Sequence, residues 1–494
     1  MQKNEDNHIV IIGAGLAGLA SAIRLRHKGF EVTVLEKSTD FGGKLASFSW
    51  GQYRWDKGPS LFTAPELVDE LFYLTGKDPR EYFKYKVSPV ACNYFFSDGT
   101  KLCFSSDPEK LKTEITEKLS AKDAGDVLNY LNNSRKTYTS VGDFFVDNQQ
   151  YGLKDALKFK LLKRYPQLLS AKFRKTLHRY NESKFNNKKL VKIFDRFGTY
   201  NGSDPYKMSG LYSMIPHLEM NQGTFFPDGG MRAIVESLCK IAVDEGVQFH
   251  FNQQIEKIEK TKNQQYIVFT DNEKYLASKL ICAIDHLTFY RDLLKNKRLF
   301  EKFNKQEKSS SALVYYWAVD TVVADLSLHN IFFSEDYQKE FDLIFNKKSI
   351  PNDFTIYLHL SSVMNKDDSP TNGQNWFVMI NTPAGITPTT DEKYAIRETI
   401  LKVLEERLKV DISAHLKFEQ IWDAKKIEED TGSFAGAIYG AASNEKLSAL
   451  KRHGNQIKEY PNLYFCGGTV HPGGGIPLVL KSAKIVANLI QYEK

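Results

Sequence analysis

The 494-residue sequence predicts an α/β protein in which a nucleotide-binding domain built on a parallel sheet is interleaved with a second, mixed-sheet domain. Three stretches lead to this prediction. An apolar run at residues 9–12 leads into a glycine-rich turn and then into helical sequence. Short strand patterns recur between residues 247 and 283, and a last one at residues 463–466 runs into another glycine-rich loop. Because these stretches lie at the start, middle and end of the sequence, we expect the chain to pass between the domains several times.

The opening turn carries the spacing of a Rossmann-type dinucleotide site. Gly13, Gly15 and Gly18 follow the G-x-G-x-x-G pattern, and Glu36 ends the next apolar run. In this pattern the first glycine permits a tight turn, the second leaves room for a pyrophosphate, and the third lets the helix lie close to the strand. A carboxylate at Glu36 would accept a hydrogen bond from a ribose 2′-hydroxyl and repel a 2′-phosphate. The turn therefore predicts FAD or NAD rather than NADP.

Four further segments extend the predicted cofactor site. They are a second glycine pair followed by a lysine for the phosphates, a Gly-Pro-Ser turn near the flavin ring, a strand whose backbone contacts the adenine, and a late glycine-rich loop. A helix that begins after this loop would place its positive N-terminal end near a reduced flavin. The predicted cofactor-binding residues are Gly13, Ala14, Gly15, Leu16, Ala17, Gly18, Glu36, Lys37, Gly42, Gly43, Lys44, Gly58, Pro59, Ser60, Ile255, Gly467, Gly468, Gly475, Ile476 and Pro477.

The positive charge of the chain is concentrated in residues 151–192. This stretch holds thirteen lysines and arginines against the acids Asp155 and Glu182, with apolar residues at helical spacing and Pro166 dividing two predicted helices. A basic amphipathic helix suits an anionic membrane surface. A solvated basic face over an ordinary core is the alternative, and nucleic acid is a third, although no nucleic-acid module is recognisable.

Other features restrict the class of protein. No apolar run reaches the roughly 18 residues of a membrane-spanning helix, and the polar start shows no secretory signal. Five scattered cysteines without a C-x-x-C pair predict neither a disulfide framework nor a metal site. We therefore expect a cytoplasmic protein. The predicted boundaries are FAD-binding parts at 1–85, 223–300 and 456–494, a helical, membrane-associating substrate part at 86–222, and a further substrate part at 301–455.

The sequence resembles the bacterial carotenoid desaturases, the phytoene desaturase family of flavoproteins. The resemblance rests on the opening turn, the glycine pair, the segment 195–206 (DRFGTYNGSDPY) and the closing segment 471–477 (HPGGGIP). Within the family the chain looks most like the branch that desaturates 1-hydroxycarotenoids at the 3,4 position. It departs from the family at Lys44, where related sequences usually have arginine, and at residues 282–285 (CAID), where many have Asn-Ala-Asp.

The resemblance implies FAD as cofactor, a carotenoid as substrate and attachment to the inner face of the cell membrane. A desaturase of this kind passes a hydride to the flavin and releases a proton from the allylic cation that remains. His471 is the nearest titratable candidate for that proton, and His217 and Glu219 are others. No second G-x-G-x-x-G unit is present, so oxygen or a quinone is the expected electron acceptor.

Several alternatives stay open from the sequence. Within the resemblance, the chain could be a phytoene desaturase or another carotenoid oxidase. A flavin amine oxidase shares the nucleotide motifs. A flavin-free protein of the same fold, such as a Rab GDP-dissociation inhibitor, would bind a lipid or a lipidated partner without redox chemistry.

Overall fold

A computed structural model of the chain describes residues 7–146, 174–445 and 448–491. Its helices are α1 (Leu16–His27), α2 (Glu66–Leu74), α3 (Pro79–Tyr82), α4 (Pro108–Lys118), α5 (Ala121–Val146), α6 (Leu177–Glu182), α7 (Lys188–Asp195), α8 (Arg232–Asp244), α9 (His286–Thr288), α10 (Lys297–Asn304), α11 (Tyr337–Asp342), α12 (Thr390–Leu408), α13 (Ile412–His415), α14 (Ala424–Thr431), α15 (Ser448–Lys451) and α16 (Ile476–Leu489). Its strands are β1 (His8–Ile12), β2 (Glu31–Leu35), β3 (Ser47–Trp50), β4 (Tyr53–Asp56), β5 (Tyr85–Val87), β6 (Cys92–Phe95), β7 (Lys101–Phe104), β8 (Phe225–Pro227), β9 (Gln248–His250), β10 (Ile255–Lys260), β11 (Tyr266–Thr270), β12 (Lys274–Ala277), β13 (Lys279–Cys282), β14 (Ser311–Val319), β15 (His329–Phe332), β16 (Ile356–His359), β17 (Gln374–Thr382), β18 (Leu416–Trp422) and β19 (Leu463–Phe465).

The first sheet is parallel and contains five strands in the order β19-β13-β1-β2-β9. The central strand β1 is apolar and buried from Ile9 to Ile12, as expected for a parallel strand covered on both faces. Helices α1, α8 and α16 pack together in the apolar core beside this sheet. Strands from residues 8–35, 248–282 and 463–465 thus meet in one layer.

The second large sheet is mixed and contains seven strands in the order β18-β14-β17-β16-β15-β6-β7. All of its neighbouring pairs are antiparallel except β15 and β6, which run parallel. Its strands come from residues 92–104 and 311–422. A three-stranded antiparallel sheet (β10-β11-β12) and two two-stranded ribbons (β3-β4 and β5-β8) complete the strand pairing of the described residues.

Several local predictions are confirmed. The turn-forming pair Asp98-Gly99 predicts a hairpin between the apolar runs on either side, and β6 and β7 form it. The helix predicted after the late glycine-rich loop begins at Ile476. Residues 147–173, which include Pro166 and most of the two helices predicted on either side of it, lie outside the described part of the chain. Beyond residue 173, α6 and α7 bury the apolar residues Leu177, Tyr180, Leu190, Val191, Ile193 and Phe194. Over the described ranges, no helix has both the length and the apolar character needed to cross a bilayer.

Candidate functional site

A cavity of about 730 Å³ lies between the two large sheets and is lined by residues from both. On one side its wall contains residues at the carboxyl ends of the parallel strands, namely Ile12, Leu35, Ala283 and Gly467. In open parallel sheets, ligands bind in the crevice outside these strand ends. The position of the cavity is therefore that of a nucleotide site.

The opening glycine turn has the geometry that its spacing predicts. Gly13 adopts a φ of +102°, which disfavours any residue with a side chain. A Cβ on Gly18 would lie 1.9 Å from the carbonyl oxygen of Gly13, so only glycine allows α1 to approach β1 this closely. A Cβ on Gly15 would meet no described atom within 4 Å and would instead occupy space at the cavity wall. Gly15 therefore leaves open the space that a pyrophosphate would need.

Glu36 is held rigidly at the end of β2. One carboxylate oxygen accepts a hydrogen bond from the Ala14 backbone N–H at 2.8 Å, and the other accepts one from the Ser38 N–H at 3.0 Å. The side chain is partly exposed and lines the cavity. Each carboxylate oxygen can accept a further bond, so the group is placed to receive a ribose hydroxyl.

Two helix N-termini open onto the cavity. Helix α1 begins after Gly15 and α16 begins after Gly475, and neither end has a side-chain cap among the described residues. Gly475 has a φ of +98°, and Pro477 stands in the first turn of α16, where a missing N–H costs nothing. The unpaired N–H groups and the helix dipoles place partial positive charge at both ends, which suits a pyrophosphate and an anionic flavin.

The second glycine pair positions a lysine at the cavity wall. Lys44 donates a hydrogen bond from Nζ to the Ile438 carbonyl at 2.7 Å. Enclosure in the wall lowers the pKa of Lys44 to about 8, and the nearby carboxylate of Asp285 opposes this shift. A Cβ on Gly58 would lie 2.0 Å from the Lys44 carbonyl oxygen, so the two predicted turns pack directly against each other. Lys37, by contrast, is exposed and donates to the Glu429 carbonyl at 2.9 Å.

The structure brings most of the predicted cofactor-binding residues together. Those that line the cavity are Gly13, Gly15, Leu16, Ala17, Glu36, Lys37, Gly42, Gly43, Lys44, Gly58, Pro59, Ser60, Ile255, Gly467, Gly468, Gly475, Ile476 and Pro477. Ala14 and Gly18 lie behind this wall. The Ala14 backbone N–H donates to Glu36, and Gly18 packs against the backbone of Gly13. Their roles in binding a cofactor remain predictions.

The predicted proton acceptor His471 does not lie on the part of the wall that the described residues form. It is 5% exposed, and its backbone carbonyl accepts hydrogen bonds from Asn455 and Ser482. His217 also lies off this wall, and burial lowers its pKa. Glu219 does line the cavity, where it is paired with a cation.

One face of the seven-stranded sheet supplies an apolar wall opposite the nucleotide motifs. Alternate residues of paired strands point to the same face of a sheet. The register pairs Val314 with Met379 and Ala312 with Asn381, and the cavity is lined by all four. Other apolar residues on the wall are Ile331, Phe377, Trp422, Leu211, Met214, Ile215 and Leu218. Such a surface suits a long apolar molecule better than a small polar one.

A buried ion pair interrupts the apolar wall. Arg196 Nη2 donates to both carboxylate oxygens of Glu219, at 2.9 and 3.1 Å, and to the Tyr94 hydroxyl at 2.8 Å. Burial raises the pKa of Glu219, and the charge of Arg196 opposes that rise. Arg196 belongs to the segment 195–206, but sequence spacing carries no signal that it pairs with a residue 23 positions away. Over the residues that the structure describes, no cluster of His, Cys, Asp or Glu could hold a metal ion.

A three-membered polar chain also borders the cavity. The Ser60 Oγ lies 2.6 Å from the Tyr357 hydroxyl oxygen, which lies 2.7 Å from Nδ1 of His329. All three residues line the cavity. Ser60 was predicted to contact the cofactor, whereas no sequence motif singled out Tyr357 or His329.

The tight glycine turn, the Glu36 carboxylate on the cavity wall and the two uncapped helix ends fit FAD at the junction of the cavity with the parallel sheet. The chain belongs to the flavin-containing amine oxidoreductase family, whose sequence model matches residues 16–491. The protein is thus an FAD-dependent oxidoreductase, and the flavin-free alternative is set aside.

Two relatives that match over nearly the whole of both chains act on carotenoids, according to their names. The chain is 41% identical to a 1-hydroxycarotenoid 3,4-desaturase of Flavobacterium sp. (strain P99-3) over 97% of this chain and 98% of the relative. It is 30% identical to a 4,4′-diaponeurosporene oxygenase of Staphylococcus aureus (strain Mu50 / ATCC 700699) over 98% of both chains. The resemblance to carotenoid desaturases is therefore confirmed.

Solved structures show the same fold at low identity. An oxidoreductase from Methanosarcina mazei superposes with a TM-score of 0.65 at 15% identity, over 97% of this chain and all of the other. Cyclohexylamine oxidase from Brevibacterium oxydans IH-35A gives 0.62 at 14% identity, over 98% and 99% of the two chains. The chain therefore has a flavin amine oxidase-type α/β fold with mixed sheets, as the sequence predicted at this level.

Proposed function

We propose that this protein is an FAD-dependent carotenoid desaturase that introduces a double bond at the 3,4 position of a 1-hydroxylated carotenoid. The observation that carries the proposal is the 41% identity to such an enzyme over nearly the whole of both chains. The apolar face of the mixed sheet, which meets the nucleotide motifs in a single cavity, supports it independently. A polyene could lie along this face with one end beside the flavin.

Bound FAD would supply the two-electron oxidation. The chain's own residues would hold the cofactor and exclude water. The helix ends at Gly15 and Gly475 would face the pyrophosphate and the pyrimidine side of the flavin, and Glu36 would receive the ribose. Apolar residues such as Phe377 and Met379 would exclude water from the polyene and hold its reacting carbons beside the flavin.

Pigment analysis in a host that makes defined carotenoids tests the proposal. Bacteria that produce a 1-hydroxylated carotenoid should convert it to a product two hydrogens lighter, with its absorption shifted to longer wavelength. The same host making only the unhydroxylated precursor is the matched control and should show little change. Conversion of phytoene would instead identify a phytoene desaturase, and oxidation of amines without any pigment change would overturn the proposal.

A second candidate is oxygenation of the carotenoid end group. The 30% identity to a 4,4′-diaponeurosporene oxygenase favours this candidate over unrelated flavin chemistry. The two reactions differ in mass, because oxygenation adds oxygen whereas desaturation only removes hydrogen. Mass spectrometry of the extracted pigments therefore separates them in the same experiment.

We place the protein at the inner face of the cell membrane, with the basic segment 151–192 in contact with anionic lipid. The apolar nature of a carotenoid supports this placement, since such a substrate resides in the bilayer. Only residues 174–192 of the segment lie in the described part of the chain. There Lys188 is exposed on the helix that buries Leu190, whereas Lys189 of the same helix is paired with Asp98.

Sedimentation with liposomes tests the membrane contact. The protein should sediment with vesicles that contain anionic lipid and be released by salt, because exposed charges are screened. Neutral vesicles are the control. Failure to sediment with either vesicle would remove the membrane role, and salt-resistant binding would indicate insertion of apolar side chains instead.

The electron acceptor, the domain boundaries and the role of His471 stay proposals. Oxygen consumption during turnover separates oxygen from a quinone as the acceptor. The strand origins of the two large sheets support boundaries near residues 85, 222, 300 and 455. Near-normal turnover of a flavin-loaded His471→Ala variant would remove this residue from the mechanism.

A further inference from the structure

We propose that His329 accepts the proton that the substrate loses, and that Tyr357 orients it; this inference rests on the desaturase function proposed above. The imidazole lies on β15 and the phenol on β16, which are paired antiparallel with His329 opposite His359 and Ile331 opposite Tyr357. This register turns His329, Ile331 and Tyr357 toward one face of the sheet, and all three line the cavity.

The two nitrogens of His329 have different surroundings. Nδ1 lies 2.7 Å from the Tyr357 hydroxyl, whereas Nε2 has no hydrogen-bond partner anywhere in the described ranges. The residue is only 3% exposed and Nε2 itself is buried, so bulk water does not satisfy this nitrogen. A buried polar atom without a partner is costly and calls for an explanation. A molecule in the cavity is the explanation that its position on the wall supports.

The chain of hydroxyl groups allows the tautomer that a base requires. Each of the two hydroxyls can donate or accept. If Nδ1–H donates to the Tyr357 oxygen and the Tyr357 O–H donates to Ser60, then Nε2 carries a lone pair. Tyr357 is in this way a positioning residue, since it fixes both the plane of the imidazole and the nitrogen that is free.

The surroundings keep His329 neutral before reaction. Burial lowers its pKa well below the ordinary value, and the charge of Arg196 lowers it further. Burial also lowers the pKa of the neighbouring His359 to about 3, so this ring carries no charge near neutral pH. The other titratable groups around this corner of the cavity are Glu219, which is paired with Arg196, and Cys92. A neutral imidazole of low basicity suffices, because a proton next to an allylic cation is strongly acidic.

The bond changes balance as follows. FAD bound at the helix ends of Gly15 and Gly475 would supply the oxidation, because it would take both electrons of one substrate C–H bond as hydride. The adjacent C–H bond breaks with its electrons remaining to form the new C=C bond, and its proton passes to Nε2 of His329. His329 then holds the proton as an imidazolium, and its Nδ1–H continues to donate to the Tyr357 oxygen.

Variants of the FAD-loaded holoenzyme test the assignment. The substrate is the carotenoid that the wild type desaturates, supplied in liposomes. His329→Gln should lower kcat roughly 10²-fold, the lower end of the range for general base catalysis, with little change in KM. Tyr357→Phe should lower kcat about tenfold, since the imidazole remains but its tautomer is no longer fixed. His359→Gln is the matched control, because its Nε2 is also without a partner among described residues but it does not line the cavity.

Chemical rescue and cofactor content separate catalysis from structure. Imidazole added to His329→Ala should restore turnover, and methylated imidazoles should do so in order of their basicity. FAD occupancy and carotenoid binding, followed by the visible spectra, should match the wild type. Normal kcat in a folded His329→Gln enzyme, or equal losses in His329→Gln and His359→Gln without rescue, would overturn the inference. If His329→Gln fails to fold, unchanged kcat in Tyr357→Phe overturns it. An inactive wild type would instead refute the proposed function.

Discussion

Replacing Gly18 with alanine tests the close packing of α1 on the strand β1. The new Cβ would lie 1.9 Å from the Gly13 carbonyl oxygen and 3.1 Å from its carbonyl carbon. Both are backbone atoms, so no side-chain rotation relieves the overlap, and the helix must retreat by more than an ångström. Overpacking of this kind costs about 1–3 kcal/mol. Alanine gains about 1 kcal/mol over glycine within a helix, so the net loss of stability should reach up to about 2 kcal/mol.

Gly15→Ala is the matched control three residues earlier. Its φ of −80° is open to alanine, and the new Cβ would meet no described atom within 4 Å. We expect the stability of the apoprotein to change by less than about 1 kcal/mol, the usual scale of an N-cap exchange. The methyl group would nevertheless enter the space predicted for the pyrophosphate. The affinity for FAD should therefore fall at least tenfold, or about 1.4 kcal/mol.

The assay compares the two variants in the same two measurements. Urea unfolding of the apoprotein should show lower stability for Gly18→Ala and near wild-type stability for Gly15→Ala. FAD titration followed by flavin fluorescence should show weak binding for Gly15→Ala even where the protein is fully folded. Wild-type stability and affinity in Gly18→Ala would refute the packing argument. Wild-type affinity in Gly15→Ala would refute the position of the pyrophosphate.

Two further predictions concern buried charges. In the apoprotein, burial lowers the pKa of Lys44 to about 8 from 10.5. Between these two pH values the unfolded chain binds more protons than the folded one, so the free energy of unfolding rises with pH, by up to about 3 kcal/mol. Lys44→Met should abolish this rise, as measured by urea unfolding at pH 8 and 10. Burial raises the pKa of Glu340 to about 7 from 4.5, although Ser334 and Thr355 donate hydrogen bonds to it. Between these values the folded state binds more protons than the unfolded state, so the free energy of unfolding of the wild type should fall as the pH rises from 4.5 to 7. In Glu340→Gln it should depend less on pH over this range. Equal pH slopes in a variant and the wild type would contradict the corresponding assignment.

Features that depend on residues close together in the sequence, including most of the predicted nucleotide site, could be predicted from the sequence. The turn at Gly13 requires a positive φ, the hairpin at Asp98-Gly99 requires a turn pair, and α16 begins where Pro477 suits a first turn. Each of these features depends on residues within a few positions of one another. Sequence patterns record such constraints directly.

The substrate side depends on contacts between distant segments. Strand β6 at residues 92–95 pairs in parallel with β15 at residues 329–332, and no local pattern specifies that register. The chain from Ser60 through Tyr357 to His329 assembles from three separate segments. The alternation of Tyr357 and His359 within one strand shows that they share a face, but not which strand lies opposite. Tertiary packing, rather than propensity, therefore determines the polar part of the cavity.

The two helix ends that face the cavity come from opposite parts of the chain, and this has a consequence for biosynthesis. Lys28, directly after α1, donates from Nζ to the carbonyl of Ala487 in α16 and to that of Ile490 just after it at 3.3 Å. Ser21 in α1 donates to Sγ of Cys466, which follows β19, at 3.4 Å. A ribosome delivers residues 16–27 long before residues 463–489. The nascent polypeptide cannot complete the proposed dinucleotide site until residues 463–489 have emerged. Until then the apolar residues of α1 that pack against α16 lack this partner.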